Sequence, residues 1–559
     1  MTITSADIAR TVRIVDRSGA ADKLAAALRT DNRGRKEPLQ THAFLVGSLL
    51  AVEHRGTCVI KAVHELLLSL PRDWQWRLGV LTKGPTGVKT LPLKHFYYLS
   101  ARISEKLEYG TGSMPDLSDA EREDRRRALF DIIDSLLDVT LIDTTTGSYA
   151  IDGSGIWSWA KGKKKAGADE ATSAGDAPDQ PSPAPFDGDN VETEQTSDSD
   201  NEEPTTSSTT QSFDPDAGWG VKTAKKGGTE VFFGYQLNAL VRVPGVRDTK
   251  DQEPRLVERF ALTPAHLDIV DASLDVIDRI RERGAPFSEL LSDRHYSYKT
   301  PERWADELAA RGIRQVLDLH ANDQGFRDYN GARLAAGWLH CPATPDDLGT
   351  ISHPGPDATK DELDAFRARI ARRQQYAFRR VAGPQADGSA RWECPAINGT
   401  LGCPLREGTE EVAVQIGLPV VRNAPDAATA PKCCTQRTVS TGSDAQRKIV
   451  QELYWGSDAW IASYKRRTYI EGVFGNIKNP DTENVRRGYH RIRGIARVSL
   501  FMAFALVSYN QRMLRNWHDR TGLGDPEHPV LVPDPQSYGH LELTAEQAAA
   551  LDELLGDAA

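Results

Sequence analysis

The sequence lacks the features that would place it in a membrane, in the secretory route or in a disulfide-stabilised fold. Its longest apolar run, residues 498–507, is interrupted by Ser499 and is too short to cross a bilayer. The N-terminus has no basic region followed by an apolar run and a small-residue cleavage site, so no secretory signal is expected. Six cysteines in 559 residues are too few for a disulfide framework. These absences favour a cytoplasmic protein.

Positive charge is missing from one long segment. Residues 168–216 contain 14 Asp and Glu and no Lys or Arg, whereas the net charge of the whole chain is −10, so the remainder carries +4. A modestly basic body with an acidic insert is compatible with nucleic-acid binding, although it does not require it. Because the segment has almost no large apolar residues, we expect it to be a disordered linker, bounded at about 166–228.

The rest of the chain alternates between helical and strand patterns. The N-terminal part is mainly helical, and its strongest helix opens with Ser118 and Glu121 in a capping box. Strands and helices alternate further on, which predicts an α/β fold with a mixed sheet covered by helices. The predicted divisions are a helical N-terminal domain with a possible role in binding DNA ends (1–138), a first core segment (139–165), the acidic linker (166–228), a second core segment (229–324), a cysteine-containing insertion (325–442), a third core segment (443–520) and a tail (521–559).

Four residues between positions 464 and 478 recur at helical spacing. They are Tyr464, Arg467, Glu471 and Lys478. Their offsets of 0, 3, 7 and 14 place them along one helix face. A carboxylate beside a guanidinium and an ammonium suits a site that holds a metal ion through the acid and a phosphate through the two cations. The alternative is a solvated helix face with a single charge pair.

Two further acids follow predicted strands. Asp152 comes where a strand rich in Thr, Ile and Val is expected to stop, and Asp293 ends a short apolar strand. Asp318 is a rival for the second position because it also lies at a predicted strand end. Acids at neighbouring strand ends can lie close together, and a helix packed across that edge would bring Glu471 to them. Such a cluster of hard oxygen ligands suits a two-metal phosphoryl-transfer site.

The order of these acids and the spacing Tyr-x2-Arg-x3-Glu-x6-Lys resemble the signature of DDE transposases from bacterial insertion sequences. In this resemblance Asp152, Asp293 and Glu471 match the three catalytic acids. Tyr296 stands where the family has an aromatic residue after the second acid, whereas His295 replaces the usual glycine. The resemblance therefore departs from the family pattern at the turn after Asp293.

The resemblance covers residues 145–160, 229–320 and 455–517, and it implies a ribonuclease-H-like catalytic core. It further implies that the three acids bind two Mg²⁺ or Mn²⁺ ions, and that the protein cuts double-stranded DNA at element ends and joins those ends to target DNA, acting as a homodimer at the nucleoid. Tyr464, Arg467 and Lys478 would then contact DNA phosphates. The alternatives are a stand-alone nuclease of the same core and a domesticated, non-catalytic DNA-binding protein.

Five of the six cysteines fall in the predicted insertion. They are Cys341, Cys394, Cys403, Cys433 and Cys434. Structural zinc sites usually use two tight Cys-x2–4-Cys pairs, and neither a Cys-x8-Cys spacing nor two adjacent cysteines fits that pattern. We therefore expect unligated thiols, with a structural zinc site as the less favoured alternative.

Overall fold

The computed structural model describes residues 3–29, 39–84, 87–143, 146–162, 212–223, 228–246, 248, 252–355, 358–383, 385, 387–443, 445 and 447–532. Most of the predicted acidic linker and nearly all of the predicted C-terminal tail beyond residue 532 lie outside these ranges. The final part of the predicted linker lies inside them, and there Gly218–Thr223 forms a strand. The prediction of disorder is therefore wrong for this part, where Gly218 and Gly220 are buried beside the neighbouring strand.

The N-terminal part is built from helices and one hairpin. The helices are α1 (Ser5–Ser18), α2 (Ala20–Leu28), α3 (Thr41–Arg55), α4 (Ile60–Ser69), α5 (Arg72–Arg77), α6 (Leu93–Leu107) and α7 (Asp119–Asp138). The predicted capping box of Ser118 and Glu121 is present at the start of α7. Strands β1 (Leu81–Gly84) and β2 (Gly87–Thr90) pair in antiparallel orientation.

A mixed six-stranded sheet forms the centre of the chain. Its strands are β3 (Ser148–Trp157), β4 (Gly218–Thr223), β5 (Thr229–Arg242), β6 (Val257–Pro264), β7 (Glu289–Ser292) and β8 (Arg314–Leu317). They run in the order β4-β5-β3-β7-β8, and β6 pairs with the same edge of β5 as β4 does. The contacts of β3 with β5 are antiparallel, whereas those of β3 with β7 and of β7 with β8 are parallel. Helices α8 (Val270–Glu282) and α9 (Ala305–Ala310) lie between the later strands in the chain.

The region after β8 is rich in loops. It contains α10 (Ala321–Gln324), β9 (Arg327–Tyr329), β10 (Ala332–Ala335), β11 (Trp338–His340), α11 (Lys360–Gln375), β12 (Arg379–Ala382), β13 (Ala390–Glu393), α12 (Pro395–Asn398), α13 (Thr409–Gln415), α14 (Lys432–Thr435) and β14 (Thr438–Thr441). These strands form two separate three-stranded sheets, in the orders β11-β10-β9 and β12-β13-β14. Some buried residues of this region form a hydrophobic cluster of their own, and others, such as Phe366 and Ile370, belong to the main cluster.

The last elements are α15 (Asp458–Tyr464), α16 (Thr468–Ile477) and α17 (Ile495–Thr521). Short 3₁₀ turns occupy Arg294–Tyr298, Pro301–Arg303, Asp346–Leu348, Arg447–Ile449 and Lys465–Arg467. Helix α17 is buried along most of its length, and it ties the N-terminal helices to the sheet. Its Asn510 side chain bonds both the N–H and the carbonyl of Val257 on β6, at 2.8 Å each.

The N-terminal helices do not have a separate core. Phe130 on α7 packs against Phe260 on β6 with 5.9 Å between ring centroids, and both belong to the largest hydrophobic cluster. A division at residue 138 thus marks a change of secondary structure within one packed body.

No single helix among the described residues is long and apolar enough to cross a membrane. Helices α3 and α4 meet that test only when taken together, and they are bent by 92° at their junction.

Candidate active site

Asp152 lies in the middle of β3, not at its end as predicted. The following Gly-Ser-Gly was interpreted as a turn, but the strand continues to Trp157 in register with β5. Both glycines are needed for close packing: a Cβ on Gly153 would lie 2.5 Å from the Gln236 side chain, and one on Gly155 would lie 2.6 Å from the Phe232 ring. These glycines therefore allow the strand to pass its neighbour beside Asp152.

Helix α16 brings Glu471 to the same face of the sheet as Asp152. Asp152 stands opposite Ala239 on β5, which packs in the same hydrophobic cluster as Ile470 and Val473 of α16. Residues directly opposite each other on paired strands point to the same face. The apolar side of α16 packs on the sheet. The other face of the helix carries Glu471 and lies beside Asp152.

Arg467 joins two of the three predicted acids directly. Its Nη1 donates to Asp152 Oδ2 at 3.1 Å, and its Nη2 donates to Glu471 Oε1. Burial acts against the guanidinium charge, but Asp152, Glu471, Asp293 and the Tyr464 phenol outweigh it and raise the pKa of Arg467. Arg467 is therefore held charged between the carboxylates.

The surroundings of Asp152 disfavour the ionised form of its carboxyl group. Burial, and next the negative charge of Asp293, raise the pKa of Asp152 to about 7, while Arg467 and the Gly153 N–H act in the opposite direction. The Gly153 N–H donates to Oδ1 at 2.7 Å. Crowded carboxylates of this kind are stabilised by an added cation.

Asp293 follows β7 directly, as predicted. Its side chain accepts the N–H of His295 at 2.9 Å and so caps the 3₁₀ turn Arg294–Tyr298. A glycine is thus not required at position 295 for this turn to form. Tyr296 is buried beneath the turn, where its hydroxyl lies 2.9 Å from Ser273 Oγ and its ring packs on Trp304.

The rival acid Asp318 is occupied by structural partners. Its Oδ2 accepts two N–H groups of Arg294, at 3.0 and 2.6 Å. Its Oδ1 accepts the indole N–H of Trp455 at 3.0 Å and the backbone N–H of Leu319 at 2.8 Å. Four donors leave this carboxylate little capacity for another ligand, which favours Asp293 as the second acid of the site.

Tyr464 and Arg467 do not lie on one uninterrupted α-helix with Glu471. The 3₁₀ turn Lys465–Arg467 separates α15 from α16. The Tyr464 ring stacks on Trp460 with 4.7 Å between centroids and 12° between planes, and the Arg467 guanidinium lies 5.6 Å from the Tyr464 ring centroid. Trp460 was missed as a supporting residue, although its position four residues before Tyr464 indicates a shared helix face.

Lys478 ends α16 and turns toward β3. Its Nζ donates to Ser154 Oγ at 2.6 Å and to the carbonyl of Gly155 at 3.0 Å. Ser154 lies two residues after Asp152 and therefore on the same face of β3. Burial, followed by the nearby charge of Lys222, lowers the pKa of Lys478 to about 8. Sequence reasoning missed Ser154 because the segment was interpreted as a turn.

The donor set fits Mg²⁺ or Mn²⁺. Asp152, Asp293 and Glu471 offer only carboxylate oxygens, the hard ligands these ions prefer. The ligand atoms of the three do not all lie within 4.8 Å of one another, since among the described residues only Asp7, Glu53 and His54 form such a set. Arg467 instead provides the positive charge between Asp152 and Glu471. Binding of ions would therefore require Arg467 to give up at least one of these contacts.

The set of Asp7, Glu53 and His54 is explained by its own partners. Asp7 caps α1 through the N–H and hydroxyl of Thr4 and also pairs with Arg10. Arg10 lies 3.8 Å from Glu53 as well. This group is an ion-pair network at the start of the helical region and is not evidence of a metal ion.

No protein-family model, curated protein or solved structure matches this chain.

Proposed function

We propose that the protein is a metal-dependent DNA transposase of the DDE type, built on a ribonuclease-H-like core. The observation that carries the proposal is the pairing of Arg467 with both Asp152 and Glu471, beside Asp293. These residues are separated by up to 319 positions in the sequence. They lie on a central strand, directly after a neighbouring parallel strand, and in a 3₁₀ turn and the helix that follows it. The sheet order and the mixture of strand directions support the same proposal.

Mg²⁺ or Mn²⁺ ions held by the three carboxylates would activate water and stabilise the attacking and leaving oxygens of a phosphodiester. The protein's own residues would position the DNA. Arg467 is oriented by the Tyr464 ring and can present its planar guanidinium to two phosphate oxygens. Tyr464 stacks on Trp460, and this contact fixes the position of its ring. Lys478 adds a point charge two residues along β3 from Asp152.

The proposed partners are double-stranded element ends and target DNA, and the proposed assembly is a homodimer that pairs two ends at the nucleoid. The charge distribution supports this, because the chain outside residues 168–216 carries +4. Lys478 is followed closely by Arg486, Arg487, Arg491, Arg493 and Arg497, and the first four are exposed. A run of guanidinium groups next to the candidate site suits contacts with the DNA backbone.

The test is a cleavage and joining assay on DNA that carries the element's own ends. We expect the purified protein to nick these ends and join them to a target plasmid with Mg²⁺ or Mn²⁺, and to do neither in EDTA. Glu471→Gln should abolish both reactions while retaining end binding in a gel-shift assay. The matched control is Asp458→Asn, which changes an 88% exposed acid on the preceding helix and should cleave like the wild type. End binding without cleavage by the wild type would support the non-catalytic alternative instead.

A further inference from the structure

The five cysteines of the loop-rich region meet in one place. All five are buried and belong to the same hydrophobic cluster. They come from four separate segments of the chain: three connections, which lie after β11, between β13 and α12, and before α13, and the short helix α14. They are Cys341, Cys394, Cys403, Cys433 and Cys434, referred to below as the cysteine cluster. The sequence rule of tight cysteine pairs did not find this arrangement because it considers neighbours in the chain and not separate loops.

Two members of the cysteine cluster sit in turns of the same design. Cys341 and Cys403 are each followed by proline, which has no N–H, and the next residue donates its N–H to the cysteine sulfur. The donors are Ala343 and Leu405. In both turns the residue three positions after the cysteine also donates its N–H to the cysteine carbonyl, at 3.0 and 2.9 Å. Burial raises the pKa of both thiols in spite of these N–H groups, and binding of a metal ion would favour their thiolate forms.

Four sulfurs are distinguished from the fifth. The Cys341 thiol lies near enough to Cys394, Cys403 and Cys434 to interact electrostatically with each of them. The Cys403 thiol interacts in the same way with Cys394 and Cys434. The adjacent thiols of Cys433 and Cys434 are hydrogen-bonded to each other. Cys434 interacts with both Cys341 and Cys403, whereas Cys433 interacts with Cys341 but not with Cys403. Four neighbouring sulfurs with a fifth thiol beside one of them suit a four-coordinate site and a neighbour outside it.

The surrounding region is built from short strands and has a small hydrophobic cluster of its own. Its six strands are only three or four residues long and form two separate small sheets. The cysteines make up 5 of the 17 buried residues in its hydrophobic cluster. Loop-rich units with small cores usually need a disulfide or a metal, and all six cysteines of the chain are free thiols. No three of these sulfurs all lie within 4.8 Å of one another, so ion binding would draw them together.

We propose that Cys341, Cys394, Cys403 and Cys434 bind one structural Zn²⁺ ion, and that Cys433 lies outside its ligand set. Four thiolates at about 2.3 Å close a tetrahedral site and leave no open position for catalysis. The ion would connect the two small sheets with the loops that follow them. This site is independent of the carboxylates of the proposed active site.

The test measures the zinc content and melting temperature of the full-length protein. We expect one zinc per wild-type chain by elemental analysis, and near-complete loss of zinc in both Cys341→Ser and Cys403→Ser. Cys433→Ser and Cys58→Ser are the controls and should keep their zinc, since Cys58 is buried in the N-terminal helical region, away from the cysteine cluster.

A second measurement uses the wild-type protein, so the proposal can be tested even if the variants fail to fold. A strong chelator should lower its melting temperature, and added ZnCl₂ should restore it. The proposal is overturned if the wild type contains no zinc and its melting temperature is indifferent to ZnCl₂, or if both Cys341→Ser and Cys403→Ser retain one zinc per chain. DNA cleavage does not enter these measurements, so failure of the transposase proposal would leave them unaffected.

Discussion

Replacing Lys478 with methionine should stabilise the protein at neutral pH and destabilise it at high pH. The ammonium group is buried against β3, where its partners are Ser154 Oγ and the Gly155 carbonyl, and neither of them carries a charge. Burial and Lys222 lower its pKa from 10.5 to about 8. Methionine keeps the apolar stem and removes the charge, so the variant isolates the effect of desolvating that charge.

The sign follows from proton binding. Between pH 8 and 10.5 the unfolded chain binds more protons at this residue than the folded chain, so the contribution of Lys478 to stability rises with pH across that window. Below pH 8 the charged lysine costs roughly 3 kcal/mol. The two lost hydrogen bonds offset part of this, by roughly 1 kcal/mol. The variant should therefore be more stable by about 2 kcal/mol at pH 7, and less stable by about 1 kcal/mol above pH 10.5.

The assay is chemical denaturation of wild type and Lys478→Met at several pH values from 7 to 11, read as the difference in free energy of unfolding. Lys61→Met is the control, because Lys61 is 66% exposed and its replacement should give a difference that does not change sign. A variant that is destabilised equally at all pH values would refute the reasoning, since the lysine would then be held by favourable contacts and not against a desolvation penalty.

Three further outcomes are expected. Arg467→Lys should slow strand cleavage by roughly 10–100-fold, because an ammonium cannot make the two-pronged contact with phosphate oxygens that the guanidinium can make, with little change in melting temperature; wild-type rates would contradict its role. Asp318→Ala should cost roughly 1–3 kcal/mol of stability and leave Mn²⁺ affinity intact, as its partners are structural; lost Mn²⁺ binding in a folded variant would contradict this. Burial and Asp216 raise the pKa of Glu108 from 4.5 to about 7, so wild-type stability should fall by roughly 3 kcal/mol from pH 4.5 to 7. Glu108→Gln should remove that fall, and an unchanged pH profile would contradict the assignment.

Local patterns predicted much of the secondary structure. The capping box of α7 and the short strand before Asp293 both occur as expected. These elements depend on interactions between residues that are close in the chain or on a strong apolar pattern, so a single sequence contains the necessary signal. The mixed α/β class followed from the same alternation.

Features that depend on distant contacts were predicted less well. Gly153 and Gly155 resemble a turn until β5 is placed beside them, where a Cβ at either position would lie within 2.6 Å of a β5 side chain. Gly218–Thr223 resembled part of the acidic linker, yet it pairs with β5 and follows directly after the acids that cap α17. Asp214 and Asp216 accept the N–H groups of Gly494 and Ile495, about 280 residues away. No local pattern records such partners.

The candidate site was predictable as a set of residues but not as a geometry. Spacing identified Arg467 and Glu471, and their pairing is present. The resemblance already favoured Asp293 over Asp318, and the structure adds a physical reason that the sequence does not reveal, because Arg294 and Trp455 bond Asp318. The position of Arg467 between two acids was likewise not predictable, since Asp152 lies 315 residues away in the chain.

The most direct test of the central claim is whether three acids distant in sequence hold the same ions. Calorimetric titration of the wild-type protein with Mn²⁺ should give binding that is weakened at least tenfold by each of Asp152→Asn, Asp293→Asn and Glu471→Gln, with melting temperatures that show each variant to be folded. Asp458→Asn should bind like the wild type. If any one of the three variants binds Mn²⁺ as the wild type does, that acid is not part of the metal site and the proposed active site is wrong.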